Sequence, residues 1–274
     1  MPELPEVETI CRGLKENIVN KKIVDVFTSN KNLRFSYPEN FAINLKDNIV
    51  ANIFRRARYI LIHLDSGKVL LIHLGMTGKL NFYHNQRDKV EKHDHIIIKF
   101  SDNSFLIYND VRRFGFADLL PSKEYNGHRM LKTLGLEPLS AEFNAEYLLK
   151  KLVNKKSNIK NVMMNNQIVV GVGNIYINES LFLSKISPER IANKVKKIEI
   201  TRLVKNIKTT LQSAIDKGGS TLRDYQQLNG DVGNFQLTFK VYGKEGDDCD
   251  NCQVKIRRVK QNGRSSFFCP SCQK

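Results

Sequence analysis

The first six residues, Met1-Pro2-Glu3-Leu4-Pro5-Glu6, could perform covalent chemistry. The initiator methionine is usually removed before a small residue, and its removal leaves Pro2 with a free secondary amine. An α-amino group titrates at about pH 7.7–8.0, so a useful fraction is an unprotonated nucleophile that can form a Schiff base at a sugar carbon. Glu3 and Glu6 are close enough in sequence to act as acid and base around that nitrogen. The alternative is an ordinary frayed terminus.

Four of the five cysteines stand in the last 26 residues, as two Cys-x2-Cys pairs separated by 16 residues. The pairs are Cys249 with Cys252 and Cys269 with Cys272, and together they can close a tetrahedron of thiolates around one Zn2+. Because four protein ligands leave no open position, the predicted zinc is structural. Disulfides or free thiols are the alternative, and they fit a cytosolic chain less well. The residues between the pairs carry cations that suit DNA phosphates, at Lys255, Arg257, Arg258, Lys260 and Arg264.

Two further motifs suit contacts with a nucleic acid. Gly171-Val172-Gly173-Asn174 precedes a predicted helix, where free backbone N–H groups can bind a phosphate; the alternative is a tight helix–turn–helix connection. Arg112-Arg113-Phe114-Gly115 and Met76 offer a cation and an apolar wedge that could fill the space left by an extruded base. The alternative there is a basic turn beside a core methionine. A metal site at His93-Asp94-His95 is not expected, because two histidines lack a third ligand.

The balance of charges favours an acidic partner. The 274 residues include 44 Lys and Arg against 28 Asp and Glu, a formal net charge of +16. Nucleic acid is the commonest partner of such a chain, although a chain can also be basic without one. The apolar runs are as short as strands, and the acidic N-terminus lacks the apolar stretch of a secretory signal. We therefore expect a cytoplasmic protein with no membrane partner.

The hydrophobic pattern changes three times along the chain. A helix is predicted from Pro5 to about Val19, and a series of short strands without intervening helices follows, which favours an antiparallel sandwich or barrel. Helical periodicity comes next, and a strand-like segment with the four cysteines ends the chain. The predicted fold class is α+β, with an N-terminal helix plus an antiparallel β-sandwich, a helical domain and a zinc-finger β-hairpin. The expected bounds are 1–126 for the catalytic domain, 127–138 for a linker, 139–234 for the helical domain and 235–274 for the finger.

Taken together, these motifs resemble one family, formamidopyrimidine-DNA glycosylase, the bacterial 8-oxoguanine DNA glycosylase and AP lyase. The resemblance covers the whole chain. It is carried by the opening Pro2-Glu3-Leu4-Pro5-Glu6-Val7-Glu8-Thr9, by Arg55-Arg56-Ala57-Arg58-Tyr59, His73-Leu74-Gly75-Met76, Glu91-Lys92-His93-Asp94-His95, Arg112-Arg113-Phe114-Gly115, Leu134-Gly135-Leu136-Glu137-Pro138-Leu139, Gly171–Tyr176 and Gly218-Gly219, and by the four-cysteine finger.

The resemblance implies an enzyme that excises oxidised purines, such as 8-oxoguanine and formamidopyrimidines, from double-stranded damaged DNA. Pro2 attacks C1′ of the damaged nucleotide and displaces the base, and the Schiff base then permits β- and δ-elimination. Glu3 is implied as the proton donor and Glu6 as support for the terminal site, while Arg58 and Arg264 are counted with this catalytic group. A monomer is expected, because one chain supplies both the catalytic and the DNA-gripping parts.

The resemblance also implies a set of DNA contacts. The helical domain resembles the helix–two-turn–helix module, and Leu222–Gln236 is the expected damage-binding loop. Met76, Arg112 and Phe114 match an intercalating trio, with Arg112 facing the cytosine left behind. The other implied DNA contacts are His93, Lys160, Asn174, Tyr176, Arg58 and Arg264.

Arg58 departs from the family pattern, which usually has lysine at this position. Arginine keeps the positive charge and can bind a phosphate, but it does not readily lose a proton. A phosphate-binding role for Arg58 is therefore expected, and a proton-transfer role is not.

Two other functions fit parts of the pattern. Endonuclease VIII, which prefers oxidised pyrimidines, shares the terminal proline, the helical module and the finger. Leu4, Val7-Glu8-Thr9 and the Arg-Phe-Gly trio favour the purine enzyme over it. A noncatalytic protein that binds damaged DNA fits the charge and the finger equally well, but it has no need of Pro2 and Glu3.

Overall fold

The structure is a computed structural model that describes residues 2–85, 90–221 and 225–274. The chain forms two units, the first made of Met1–Lys132 and Lys217–Asn234 and the second of Thr133–Asp216 and Phe235–Lys274. The chain thus returns to its first unit for one segment, which follows the last helix of the second. The four-part division expected from the sequence stays a prediction.

The described residues of the first unit form one long α-helix, one short α-helix and eight strands. All the strands pair antiparallel in two four-stranded sheets, with the orders β1-β6-β7-β5 and β2-β3-β4-β8. The α+β class with an N-terminal helix and an antiparallel sandwich is therefore confirmed. The bounds are α1 Leu4–Ile18, β1 Ile23–Thr28, α2 Phe41–Leu45, β2 Val50–Arg56, β3 Tyr59–Leu64, β4 Lys68–His73, β5 Lys79–Tyr83, β6 Asp94–Phe100, β7 Phe105–Asn109 and β8 Phe116–Pro121.

One buried cluster joins α1 to both sheets. It includes Leu14 of α1, Ile53 and Ile72 of one sheet, and Ile98 and Leu106 of the other. Strands β3 and β4 are buried along almost their whole length, which explains why they read as continuous apolar runs instead of alternating ones. The packed core of the sandwich therefore holds the turns at the ends of its strands in place, and candidate residues lie in these turns.

The second unit contains four α-helices and the C-terminal hairpin. Asn144 and Asn158 cap the first two helices, and their side-chain oxygens each accept a backbone N–H three residues on, at 2.9 Å. The hairpin strands pair antiparallel, so the predicted zinc-finger hairpin is confirmed. The bounds are α3 Ala145–Leu152, α4 Ile159–Met163, α5 Asn174–Leu183, α6 Lys197–Asp216, β9 Arg257–Gln261 and β10 Arg264–Phe268.

One predicted helical segment differs from the structure. The sequence pattern near the boundary after the strands predicts a short turn of helix near Arg129–Leu134, but the chain there forms only turns, and a 3-10 helix lies earlier, at Tyr125–Gly127. The N–H groups of Leu131 and Lys132 both donate to the carbonyl of His128 and close a single turn. The turn does not continue, because the N–H of Gly135 bonds across to the carbonyl of Asn166 at 2.7 Å.

Candidate active site and nucleic-acid interface

The terminal residues lie in the interior of the first unit. Pro2 is buried, and Glu3 and Glu6 expose only 7% and 3% of their surfaces. Glu3 is the N-cap of α1, and its backbone N–H donates to Oε2 of Glu6 at 2.8 Å. A carboxylate in the first turn is favoured by the positive end of the helix. The structure therefore brings Pro2, Glu3 and Glu6 together, which a frayed terminus would not do.

Glu6 also fixes the segment that follows helix α6. Its Oε1 accepts the N–H of Ser220 at 2.7 Å. Gly219 has φ +82°, and a Cβ there would lie 3.0 Å from the Cγ of Glu6, so glycine lets the backbone pass the carboxylate. Sequence reasoning marked the Gly218-Gly219 pair but missed Ser220, because a contact between residues 6 and 220 has no local signal.

Tyr225 belongs to the expected damage-binding loop and contacts the segment that follows helix α6. Its hydroxyl donates to the carbonyl of Gly218 at 3.1 Å. Burial and the neighbouring Glu6 charge raise the pKa of Tyr225, so the hydroxyl stays protonated. Within Leu222–Gln236, residues 222–224 lie outside the described residues, as does Met1.

Arg58 lies in the turn between β2 and β3. The preceding residue, Ala57, has φ +54°, which gives the turn a left-handed residue. The charge of Arg58 acts on its neighbours Tyr59 and His73. Burial first, and then Arg58 and Arg34, lower the pKa of His73 to about 4. The half-buried Arg58 is thus a cation whose charge acts on Tyr59 and His73, and its catalytic and phosphate-binding roles stay predictions.

The three residues of the expected intercalating trio project from two adjoining turns. Met76 and Phe114 expose 40% and 46% of their surfaces, so neither is a core residue. The guanidinium of the exposed Arg112 lies over the Phe114 ring, 4.5 Å from its centroid. A Cβ on Gly75 would collide with the backbone of Phe114 and Gly115. Only glycine at 75 therefore lets the two turns approach this closely.

The two histidines of the Glu91–His95 motif have different surroundings. His93 is half-buried, and its carbonyl accepts the N–H of Asp110 at 3.0 Å. His95 is fully buried between Ser29 and the carbonyl of Asp110, with its ring nitrogens 2.9 and 3.0 Å from the two oxygens. Among the residues that the structure describes, neither histidine belongs to a cluster that could hold a metal.

The predicted contacts of the helical domain hold the hairpin. Lys160 is fully buried, and its ammonium donates to the carbonyl of Ser265 at 2.8 Å and to the hydroxyl of Ser266 at 2.7 Å. Asn174, the first residue of α5, donates from Nδ2 to the same carbonyl of Ser265 at 3.1 Å. Tyr176 is buried against Phe235 in the core. Whether Lys160, Asn174 and Tyr176 also act on DNA stays a prediction.

Arg264 begins strand β10 and is exposed. Its guanidinium lies 3.9 Å from the sulfur of Met164. The adjoining residues Ser265 and Ser266 are the ones that Lys160 holds, so the position of Arg264 on the surface follows from a buried contact. A role in DNA binding or catalysis stays a prediction for this residue too.

The four cysteines of the finger form a compact cluster of sulfur atoms. Their Sγ atoms all lie within 4.8 Å of one another, with Cys249 to Cys272 at 3.9 Å and Cys252 to Cys269 at 3.4 Å. Thiolates about 2.3 Å from a tetrahedral zinc are separated by roughly 3.8 Å, so the spacing fits. A small apolar cluster with Val241, Ile256 and Phe267 surrounds the sulfurs. The donor set fits one structural zinc, whose chemistry is to pin the hairpin.

Family models match three consecutive parts of the chain. Residues 1–117 match the N-terminal domain of formamidopyrimidine-DNA glycosylase, residues 134–226 match its H2TH domain, and residues 246–274 match the zinc finger found in FPG and IleRS. The chain belongs to the formamidopyrimidine-DNA glycosylase family. The family resemblance inferred from the motifs is therefore confirmed, and so are the zinc-finger class and the helix–two-turn–helix module.

Relatives in this family match the chain from end to end. A formamidopyrimidine-DNA glycosylase of Wolbachia pipientis subsp. Culex pipiens is 48% identical, with all of both chains covered. A Lactococcus lactis FPG mutant, solved with a Fapy-dG containing DNA, has a TM-score of 0.90 at 35% identity. A MutM structure with a carbocyclic 8-oxo-G containing DNA has a TM-score of 0.90 at 36% identity, and both solved chains are also covered completely.

No helix among the described residues combines the length and the apolar character that a bilayer crossing requires.

Proposed function

We propose that this chain is a DNA base-excision repair enzyme, a glycosylase and AP lyase that removes oxidised purines such as 8-oxoguanine and formamidopyrimidines. The observation that carries the proposal is the buried terminal site, in which Glu6 holds both the N–H of Glu3 and the N–H of Ser220. A protein that only binds damaged DNA has no use for an N-terminal amine held beside two carboxylates. The family relationship supports the same function.

The reaction proceeds at the terminal amine after Met1 has been removed. The Pro2 nitrogen forms a bond to C1′ as the bond from C1′ to the damaged base breaks, and the base leaves with a proton. Glu3 donates a proton at the sugar, which opens the ring and gives the Schiff base. Loss of protons from the sugar then expels the 3′ and 5′ phosphates by β- and δ-elimination. A covalent imine of this kind divides one difficult step into easier ones.

The remaining predicted residues hold the DNA. Met76, Arg112 and Phe114 fill the space left by the extruded nucleotide, and Arg112 faces the cytosine opposite. Arg58, His93, Asn174 and Arg264 contact the backbone, and the zinc pins the hairpin that carries Arg264. We expect the protein to act as a monomer on double-stranded DNA, and therefore in the cytoplasm at the nucleoid.

Borohydride trapping tests the proposal. A duplex with a single 8-oxoguanine opposite cytosine is incubated with the protein and reductant, and the cross-linked peptide is mapped by mass spectrometry. We expect the cross-link on an N-terminal Pro2, and a large loss of cross-link in Glu3→Gln with duplex binding retained. Tight binding without any cross-link would instead identify a noncatalytic damage-binding protein. A stronger cross-link on a thymine glycol duplex would favour an oxidised-pyrimidine enzyme.

A further inference from the structure

We infer that Asp110 is a positioning residue that holds the base-displacing side chains Met76, Arg112 and Phe114, and thereby sets the preference for the base opposite the lesion. The inference rests on the proposed function and deepens it. Asp110 itself does not touch the DNA in this proposal, because it is completely buried. It acts through the two turns that carry the trio.

The carboxylate of Asp110 accepts hydrogen bonds from both turns. Its Oδ1 accepts the Thr77 hydroxyl at 2.6 Å, next to Met76 in the first turn. The N–H of Arg112 is shared between this oxygen at 3.3 Å and the Thr77 hydroxyl at 3.1 Å, and Oδ2 accepts the N–H of Gly115 at 2.9 Å. These two N–H groups stand at either end of the second turn. One side chain thus fixes the turn that presents Met76 and the turn that presents Arg112 and Phe114.

The backbone of Asp110 also forms hydrogen bonds with both histidines of the Glu91–His95 motif. Its N–H donates to the carbonyl of His93 at 3.0 Å. Its carbonyl lies 3.0 Å from Nε2 of His95. Since a carbonyl can only accept, Nε2 carries the proton, and Nδ1 of His95 accepts from Ser29. A third segment that is expected to contact DNA is therefore held by the same residue.

The physical cost of burying a carboxylate makes these bonds strong positioning contacts. A buried charge is tolerated when it is fully hydrogen-bonded, and removing one partner leaves a costly unmade bond. The Tyr108 hydroxyl donates to the carbonyl of His73 at 3.1 Å and also lies 3.5 Å from Oδ2. Burial and the Asp110 charge raise the pKa of Tyr108, so this hydroxyl remains a donor. The turns therefore cannot move away from Asp110 without leaving its charge unsatisfied.

Asp110→Asn tests the inference with almost no change of shape. The amide can keep the bond from Gly115 only by turning its NH2 group toward the Thr77 hydroxyl and the Arg112 N–H. The bond to Thr77 must then reverse its direction, and the contact with the Arg112 N–H, which cannot accept, is lost. We expect excision of 8-oxoguanine from the duplex to fall about ten- to hundredfold, as for the loss of a buried hydrogen bond. We also expect the preference for cytosine over adenine opposite the lesion to diminish. Fluorescence of 2-aminopurine placed beside the lesion reports the displacement of bases directly.

Trapping on a single-stranded oligonucleotide with an abasic site separates positioning from a general structural effect. A single strand leaves no partner base and no gap to fill, so the cross-link at Pro2 is expected to change by less than about twofold if Asp110 acts only through the trio. Asp25→Asn, on the exposed part of strand β1, is the matched control and should behave as the wild type. An equal loss on duplex and single strand, or no loss on either, would overturn the inference. Failure of the wild-type protein in both assays would instead reject the proposed function.

Thr77→Val provides the test if Asp110→Asn does not fold. Valine keeps the shape of threonine but removes the hydroxyl, which donates to Asp110 and accepts the N–H of Arg112. We expect a loss of several-fold in duplex excision, with single-strand trapping retained and a smaller preference for cytosine. Wild-type values in all three measurements would show that the hydrogen bond between Thr77 and Asp110 does not position Met76, and would contradict the inference.

Discussion

At the scale of single residues, His73 shows how the fold sets the protonation of a group beside the predicted phosphate-binding Arg58. The ring lies 5.0 Å from that of Tyr59 and 5.7 Å from that of Phe116. Its Nδ1 accepts the N–H of Gly75 at 3.2 Å, which requires an unprotonated nitrogen. Burial and two arginines lower its pKa from 6.5 to about 4. The turn that carries Met76 therefore begins at a histidine that the fold keeps neutral.

We expect the stability of the first unit to decrease as the pH falls from 6.5 to about 4. In this window the unfolded chain binds a proton at His73 that the folded chain does not, so acid favours unfolding. His73→Gln keeps an acceptor without a titrating ring and should remove up to about 3 kcal/mol of this dependence. Urea unfolding at several pH values measures it, with His84→Gln, an exposed site, as control. Equal pH dependence in the two variants would contradict the prediction.

Arg58 carries the departure from the family pattern. If its task is to bind a phosphate, lysine supplies the same charge at a similar reach, although without a second parallel hydrogen bond. We expect Arg58→Lys to leave the excision rate within several-fold of the wild type, and Arg58→Met to lower duplex affinity clearly. Single-turnover kinetics on an 8-oxoguanine duplex measures both. A large increase in the excision rate of Arg58→Lys would show that the native arginine slows a proton transfer.

At the scale of elements, the hairpin of β9 and β10 is held by side chains from two helices. Lys160 of α4 and Asn174 of α5 share the carbonyl of Ser265. Asn178 of α5 accepts the N–H of Phe267 through Oδ1 at 2.8 Å. Three consecutive residues of β10 are thus anchored directly after Arg264. Zinc fixes the far end of the hairpin, and the helices fix the strand that bears the predicted phosphate contact.

Lys160→Met should affect DNA binding more than stability. Methionine fills most of the space of the lysine stem. The carbonyl of Ser265 keeps its bond from Asn174 and the hydroxyl of Ser266 keeps its bond to Gln261, so neither loses its last partner and the cost to folding is small. Losing the bonds to Ser265 and Ser266 should misalign Arg264 and weaken duplex binding about tenfold, with zinc content unchanged. Lys197→Met, at an exposed site of α6, controls for the loss of one charge. Similar affinities of the two variants would exclude the anchoring role.

The sequence predicts those elements whose pattern is local. The pattern predicts a strand at Lys79–Tyr83, which are the bounds of β5, and a helix at Lys196–Lys217, which is α6 within one residue at each end. Helix α2 was missed, since it has only 5 residues and its N-cap, Asn40, is left-handed with φ 55°. The four zinc ligands were found from their spacing alone.

Long-range contacts explain what the sequence could not predict. The bond between Glu6 and Ser220 joins residues 214 positions apart, and Asp110 looks like an ordinary residue at the end of a strand. Lys160 reads as a surface cation in a basic chain, yet it is fully buried. In each case the function of the side chain depends on a partner that only the fold brings near. Sequence reasoning therefore finds chemically active residues more readily than the residues that position them.

At the scale of the whole molecule, the salt dependence of binding measures how many cations of this chain, whose net charge is +16, contact DNA. Each cation that neutralises a phosphate releases counterions, so the logarithm of affinity falls linearly with the logarithm of salt concentration. Some cations are already paired with acids, as Lys150 is with Glu146 at 2.7 Å on α3. The slope of the logarithm of affinity against the logarithm of salt concentration therefore reports the number of cations that contact phosphates, not the total charge of the protein.

We expect Arg264→Ala to reduce the magnitude of this slope by about 0.9, the value for one phosphate contact on duplex DNA. The affinity should fall to a similar extent for damaged and undamaged duplexes, because a phosphate contact carries no sequence information. Fluorescence anisotropy over a series of salt concentrations measures both quantities. Lys150→Ala removes the same charge from a paired site and should leave the slope unchanged. If instead Arg264→Ala kept the full slope and lost affinity only for the damaged duplex, Arg264 would act at the lesion and not on the backbone.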